Sequence, residues 1–211
     1  MRVGPGEVQV RAGTEADLPA LTDLYNHYIR ETCITFDTEP FTSEQRRPWL
    51  LSHPQDGPHR LLVAQEAADR AEIPQNGSAD PRHGSADTRN GSADTHPGAA
   101  PPDVAVTPAL LGYATSSAFR PKAAYGPSVE VTVYCTPQAT GRGVGTLLYT
   151  ALFEALADED VHRAYAGITQ PNEASVRLHT RFGFRHLGTF TEVGRKFGRY
   201  WDVAWYQKDL G

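Results

Sequence analysis

Val129-Glu130-Val131-Thr132-Val133-Tyr134-Cys135, followed after a short turn by Thr140-Gly141-Arg142-Gly143-Val144-Gly145-Thr146, is the stretch from which the fold of this chain is read. The first run is dense in β-branched and aromatic residues and reads as a central strand. Past the glycines, Val144, Leu147, Leu148, Ala151, Leu152 and Leu156 recur at helical spacing, which predicts a helix from Gly145 to Ala157. Glycines at a strand-to-helix turn let several backbone N–H groups aim at one point, at the positive end of a helix dipole. The stretch therefore reads as a phosphate cradle. It is not the dinucleotide fingerprint, whose glycines are spaced Gly-x-Gly-x-x-Gly after a buried first strand. It is not the mononucleotide loop either, because no Lys-Ser/Thr follows the glycines.

Upstream, Val8 to Arg11 reads as a short strand. Thr14 caps a helix, with Asp17 at the capping-box position and Leu18, Leu21, Leu24, Tyr25 and Tyr28 on one face. Ser43 to Leu51 is a second helix, and Leu61 to Glu66 and Leu110 to Ser116 are strands. Between those strands, Asn76 to His96 holds three copies of a seven-residue unit, each with one small apolar residue and one glycine, so no coiled-coil seam forms. Residues 67–108 are expected to be a disordered low-complexity insertion, an enlarged hairpin loop within a single domain spanning residues 1–211. Downstream come a strand from Ala164 to Thr169 and a helix from Glu173 to Phe182 that Gly183 ends. Phe184 to Thr191 and Tyr200 to Gln207 close the chain as strands. The irregular alternation points to an α+β fold.

The chain has 211 residues, enough for one domain with a full core. Its 20 Lys and Arg against 25 Asp and Glu leave a net charge of −5 with no basic stripe, which argues against nucleic acid as partner. No run of apolar residues is long enough to span a membrane, and Met1 to Arg11 lacks the apolar segment of a secretion signal, so the expected location is cytoplasmic. For the same reason the Asn-Gly-Ser triplets at Asn76 and Asn90 are not read as glycosylation sites. Cys33 and Cys135 do not have metal-ligand spacing, and no His-x-x-x-His pair occurs, so no metal site is expected.

Glu130-Val-Thr-Val-Tyr-Cys-Thr-Pro137 with Gly141-Arg-Gly-Val-Gly-Thr146 resembles motif A of the GNAT acetyltransferases. Pro171-Asn172-Glu-Ala-Ser175-Val-Arg-Leu-His179, followed by Gly183-Phe184, resembles their motif B. A narrower resemblance, to the phosphinothricin and methionine sulfone/sulfoximine N-acetyltransferases, rests on further segments. They are Tyr25-Asn26-His27-Tyr28-Ile29, Thr35-Phe36-Asp37-Thr38-Glu39-Pro40, Ala124-Tyr125 and the run from Gly194 through Lys196 and Trp201-Asp202 to Val203. The sequence departs from the pattern at Thr140, where Gln or Arg is usual, in the insertion, and in Arg120-Pro121-Lys122. A cradle built from backbone N–H groups tolerates Thr140, and the insertion, distant from the cradle in sequence, is expected to leave the chemistry alone.

The resemblance implies a GNAT-like mixed, mostly antiparallel central sheet flanked by helices, with acetyl-CoA as co-substrate and direct acetyl transfer to the amino group of a small amino acid. Gly141, Arg142, Gly143, Val144, Gly145 and Thr146 are then the pyrophosphate cradle, while the backbone of Val133, Tyr134 and Cys135 lies beside the pantetheine arm. Asn172 and Arg181 are further cofactor-binding candidates. Glu130 is the candidate general base, since a carboxylate among apolar strand residues is expensive to ionise and burial moves its pKa toward a useful value. His179, where many of these enzymes carry Tyr, is the candidate acid toward the leaving thiolate or a second base. Arg120, Lys122, Ala124, Tyr125 and Phe36 are the candidate acceptor-binding residues, with the two cations suited to a carboxylate. Cys135 has no evident activating partner, which speaks against covalent catalysis. The resemblance also implies a homodimer, and the apolar run Val203-Ala204-Trp205-Tyr206 is compatible with one. The competing readings are a peptide or protein acetyltransferase of the same fold and a non-catalytic acetyl-CoA-binding module.

Overall fold

A computed structural model describes residues 7–67 and 108–211, so the expected insertion lies outside the described residues except for Ala67 and Pro108. The described elements, in chain order, begin with β1 (Val8–Ala12), α1 (Leu18–Glu31), α2 (Ser43–Leu51), β2 (Leu61–Glu66), β3 (Leu110–Ala118) and β4 (Ser128–Cys135). They continue with α3 (Val144–Ala155), β5 (Arg163–Thr169), α4 (Glu173–Arg181), β6 (Arg185–Lys196) and β7 (Arg199–Asp209). The strands form one sheet in the order β1-β2-β3-β4-β5-β7-β6. The pair β4–β5 is parallel and the others are antiparallel, which is the mixed, mostly antiparallel α+β sheet expected. No helix among the described residues is long and apolar enough to cross a membrane.

Strand alternation sorts the core onto two faces. Val129 and Val131 of β4, Ala164, Ala166 and Ile168 of β5, and Ala204 and Tyr206 of β7 pack with Val144, Leu148, Tyr149 and Leu152 of α3. On the other face, Leu18, Leu21 and Leu24 of α1 and Leu50 of α2 pack on Leu61, Val63 and Tyr113. Glu130, Thr132 and Tyr134, at the alternate positions of β4, therefore belong to the α1/α2 face. The run Val203–Tyr206 owes its apolar character to the place of β7 inside the sheet, between β5 and β6, rather than to an exposed surface.

The decisive feature for function is where β4 and β5 stop pairing. Only Ser128, Val129 and Glu130 are in register with Arg163, Ala164 and Tyr165. Both strands then run on, β4 to Cys135 and β5 to Thr169, without further partners between them. A wedge opens whose backbone groups are free for an extended ligand. Tyr28 of α1 braces it by donating its hydroxyl to the Cys135 carbonyl at 2.7 Å.

Several elements differ from the sequence reading. A single 3-10 turn (Glu15–Asp17) precedes α1, with the Asp17 carboxylate accepting from both the backbone N–H (2.8 Å) and the hydroxyl (2.9 Å) of Thr14. The helix after the cradle ends at Ala155 rather than Ala157. The last two strands are longer than expected and meet in a two-residue turn, Phe197-Gly198, with φ of 53° and 74°. Hairpin turns of this kind need positive φ at both central residues, and a Phe there carries no turn signal.

Candidate active site

The cradle is built as its sequence suggests. Gly141 and Gly143 have φ of 77° and 75°, a region L side chains rarely adopt, and nothing lies within 4 Å of where a Cβ would stand on either. Gly143 is the N-cap of α3 and offers no side chain, so the first N–H groups of that helix stay open. They face a cavity of about 420 Å³ lined by Val133, Cys135, Thr140, Gly141, Gly143, Val144, Gly145, Thr146, Asn172 and Arg181, among others. Nine of the eleven expected cofactor contacts thus meet around one space, with Thr140 beside them.

Two others behave differently. The Arg142 side chain is not in that lining and donates to both Glu66 oxygens, at 2.8 and 3.3 Å, so only its backbone is left to the cradle. Glu66 ends β2, at the root of the insertion, which brings that root closer to the cradle than sequence order implied. The Tyr134 ring is sequestered among Tyr25, Tyr28 and Tyr113, at centroid distances of 5.5, 4.9 and 5.3 Å. Burial pushes the Cys135 thiol up to about 11, so it is protonated and a poor nucleophile near neutrality.

Asn172 is the N-cap of α4, its side-chain oxygen accepting from the Ser175 N–H at 3.1 Å. The residue lines both the cradle cavity and a narrow space of about 50 Å³ in the wedge. The wedge space also touches Val131 to Tyr134, Ala166 to Thr169 and His179. His179 is 3% exposed. Its Nδ1 lies 2.8 Å from the Ser175 carbonyl, which only accepts, so Nδ1 carries the proton of the neutral ring and Nε2 accepts from the Tyr149 hydroxyl at 2.8 Å. Burial lowers the pKa of His179, which favours this neutral form.

On the α1/α2 face a second cavity, of about 380 Å³, is lined by Ile34, Phe36, Glu130, Gly167, Thr169, Phe190, Val193, Val203 and Trp205. Glu130 stands at the last paired position of β4, where the wedge begins. Burial raises the pKa of its carboxyl, and the charge of Arg120 partly opposes that rise. The Arg120 guanidinium stacks over Phe119 at 4.2 Å and lies 5.7 Å from the Trp205 ring. Of the expected acceptor-binding residues only Phe36 lines this cavity; Arg120, Lys122, Ala124 and Tyr125 do not, and Arg120 is exposed, reaching Glu130 through its charge alone. Lys122, Ala124 and Tyr125 sit exposed on and beside a 3-10 turn (Ala123–Tyr125), with Tyr125 edge-on to Phe119 at 6.1 Å.

The segment carrying Phe36 is clamped on three sides. Lys196, itself buried, donates to the Thr35 carbonyl at 2.7 Å, and Tyr25 bonds the Thr35 hydroxyl at 2.8 Å. Asn26 exchanges two hydrogen bonds with the Phe41 backbone, at 2.7 and 2.8 Å. The Phe36 ring lies on Gly194, where any Cβ would come within 2.3 Å of it. Trp201 and Asp202 hold the same hairpin, bonding the Lys196 carbonyl (2.9 Å) and the Glu192 N–H (2.7 Å). Ile34, which borders all three cavities, was not foreseen, nor was Trp205 as a wall of the cavity beside Glu130. Ile34 is a lone apolar residue in a loop and Trp205 lies in a strand, and neither pattern signals a site.

A model of the acetyltransferase (GNAT) domain matches residues 103–205. Over 98% of this chain and 99% of the relative, the chain is 58% identical to a phosphinothricin N-acetyltransferase of Streptomyces coelicolor. This chain belongs to the GNAT acetyltransferases. Within that family this N-acetyltransferase is of the phosphinothricin N-acetyltransferase type. It is also 27% identical to an L-methionine sulfoximine/L-methionine sulfone acetyltransferase of Pseudomonas aeruginosa, over 95% of this chain and 94% of that one. Among solved structures, a putative acetyltransferase from Salmonella typhimurium with its cofactor acetyl-CoA superposes with a TM-score of 0.73 at 25% identity, covering 97% of this chain and 95% of that one.

Proposed function

We propose that this acetyltransferase transfers the acetyl group of acetyl-CoA directly to the amine of a small amino acid of the phosphinothricin or methionine sulfone/sulfoximine type, with Glu130 as general base. The observation that carries the reading is the position of Glu130. Its carboxylate stands where β4 and β5 part, with the mainly apolar Phe36/Trp205 cavity beside it and the cradle at the far end of the wedge. The relatives' substrates support the choice of acceptor.

The residues present fit acetyl-CoA. Open N–H groups at the start of α3 suit a pyrophosphate, Asn172 and the free edge of β4 suit an amide-bearing arm, and acetyl-CoA supplies the reactive thioester. Glu130 takes a proton from the acceptor ammonium, so that the neutral nitrogen forms the new C–N bond as the C–S bond breaks. Its raised pKa strengthens it as a base. Arg120 holds the acceptor carboxylate. His179 borders the wedge where the thiolate leaves; with Nδ1 held by the Ser175 carbonyl and Nε2 by the Tyr149 hydroxyl, its neutral ring orders that wall of the wedge. We infer a homodimer from the apolar, exposed side chains of β6 and its turn.

The test is thiol release from acetyl-CoA with phosphinothricin, methionine sulfone, methionine sulfoximine, methionine and a lysine-containing peptide as separate acceptors. Turnover with the oxygen-bearing amino acids, lost in Glu130→Gln, is the expected result. Turnover only with peptide overturns the acceptor class, and acetyl-CoA binding without turnover by any acceptor overturns catalysis.

A further inference from the structure

Arg46 of α2 is 5% exposed, yet it forms no ion pair among the described residues. Its guanidinium lies between the rings of Tyr25, at 4.0 Å, and Trp49, at 3.9 Å. Stacking covers the two faces of the guanidinium plane but does nothing for the N–H groups at its edge, and Nε has no acceptor. The oxygens nearby are already engaged. Thr115 and Thr132 share one hydrogen bond (2.7 Å), and Asp37 accepts from Tyr25 (2.5 Å). Gln45 accepts from the Thr42 N–H (2.8 Å), and Ser117 bonds His53 (2.9 Å). The Tyr113 hydroxyl stands within hydrogen-bond reach of the guanidinium and takes up part of its edge, which leaves Nε without an acceptor. A buried cation with no ion pair and an unsatisfied Nε is costly to maintain; the Asp37 carboxylate lines the same space but is turned to Tyr25, which makes an oxygen-rich ligand the natural complement.

Arg46 lines a cavity of about 250 Å³ with Tyr25, Asp37, Gln45, Trp49, Ser117 and Thr132, among others. Its position follows from the register of β3 and β4. Ser117 faces Glu130, Thr115 faces Thr132 and Tyr113 faces Tyr134. Cross-strand partners project from the same face, so the cavity begins beside Glu130 and extends along the strands. Two residues of strand advance about 7 Å, a distance on the scale of a short amino-acid side chain.

We propose that the Arg46 cavity is an oxyanion subsite whose occupant is the tetrahedral, oxygen-bearing group of the acceptor side chain. This rests on the reading that the acceptor amine meets Glu130. A phosphinate or sulfone presents two oxygens from one tetrahedral centre to the guanidinium edge, whereas a thioether presents none. Arg46 is then the residue that makes the enzyme prefer oxidised or phosphinylated amino acids to plain methionine. A free oxyanion such as phosphate shares the chemistry, and the experiment separates the two sources.

Two variants test it. Arg46→Met keeps the volume and removes the buried charge, an exchange that cores often tolerate, and Arg46→Lys keeps the charge without the fork. With Arg46→Met, kcat/KM for phosphinothricin and methionine sulfone should fall roughly 10- to 100-fold, the range for hydrogen bonds to a charged group, while that for methionine stays within about 3-fold. Equal losses on all three acceptors, or no loss, overturn the proposal. In a calorimetric titration, inorganic phosphate should bind the wild-type protein, compete with phosphinothricin and fail to bind Arg46→Met. Phosphate binding that needs Arg46 but does not compete reassigns the cavity to a free oxyanion and overturns the acceptor assignment; absence of phosphate binding overturns the subsite. If the wild type acetylates none of these acceptors, the functional reading fails and the phosphate titration still decides the subsite. If Arg46→Met does not fold, Arg46→Lys and competition on the wild type carry the test.

Discussion

Burial of the Glu130 carboxylate costs stability near neutral pH. Burial raises its folded pKa above the ordinary 4.5, so between those two values the folded state binds more protons than the unfolded one. Stability therefore falls as pH rises through that window, and the loss persists above it. Glu130→Gln should melt higher than wild type at pH 7, with the difference shrinking toward pH 4, while kcat/KM drops roughly 10²- to 10⁴-fold, the usual worth of a general base. Thermal melts at the two pH values and initial rates measure both. An unchanged melting difference across that range would show that the carboxylate titrates as an exposed group. Asn172 is bifunctional on our reading, and Asn172→Ala should cost about 1 kcal/mol for the lost cap. It should also raise KM for acetyl-CoA, whereas Asn172→Asp keeps the cap; denaturant titration and acetyl-CoA saturation curves separate the two roles. The strand position of Glu130 and the cap position of Asn172 were legible because strand and cap contexts are local. The surroundings of Arg46 were not, because the rings that bury it come from α1, α2 and β3.

At the scale of elements, the sequence shows the strand, the glycines and the helix, but not that β4 and β5 part after Glu130. Pairing is a property of two strands about thirty residues apart in the chain, and neither carries a local signal of where it ends. The long β6–β7 hairpin was hidden in the same way, by a Phe in a left-handed turn position and a register slip between Phe190 and Gly194. The hairpin holds the cavity beside Glu130, the acceptor site on our proposal, in shape, since Phe36 seats on Gly194 and Lys196 ties down Thr35. A methyl group at Gly194 has to displace the Phe36 ring. Gly194→Ala should therefore raise KM for the amino-acid acceptor several-fold with KM for acetyl-CoA unchanged, because the cradle lies at the other end of the wedge. Parallel shifts in both constants would mean that the hairpin supports the whole wedge rather than one wall of it.

For the molecule as a whole, the ends of β2 and β3 stay paired up to the root of the insertion, with Glu66 donating to the Ala109 carbonyl at 3.1 Å. Replacing residues 68–107 with a short Gly/Ser turn should thus preserve folding and turnover. Glu66→Ala, which frees Arg142, should perturb acetyl-CoA saturation more than the deletion does. The apolar run that was compatible with a homodimer, Val203–Tyr206, lies inside the sheet and so carries no information on assembly. The surface suited to a partner on the proposed reading is β6, an edge strand among the described residues. Leu187, Phe190 and Val193 on it, with Phe197 and Tyr200 at its turn, are each 51–57% exposed. An apolar edge with unpaired backbone groups invites association unless it is covered, and a second copy of the same strand supplies both the apolar surface and the hydrogen bonds. Phe190 and Val193 also border the acceptor cavity, so a partner seated there would close it. Light scattering should give about twice the monomer mass for the wild type, and Leu187→Glu, which lies outside that cavity, should shift it toward monomer with a loss of acceptor affinity. A wild type that scatters as a monomer at micromolar concentration would leave the apolar edge to some other cover, and a monomeric Leu187→Glu with unchanged KM would show that each subunit closes its own site.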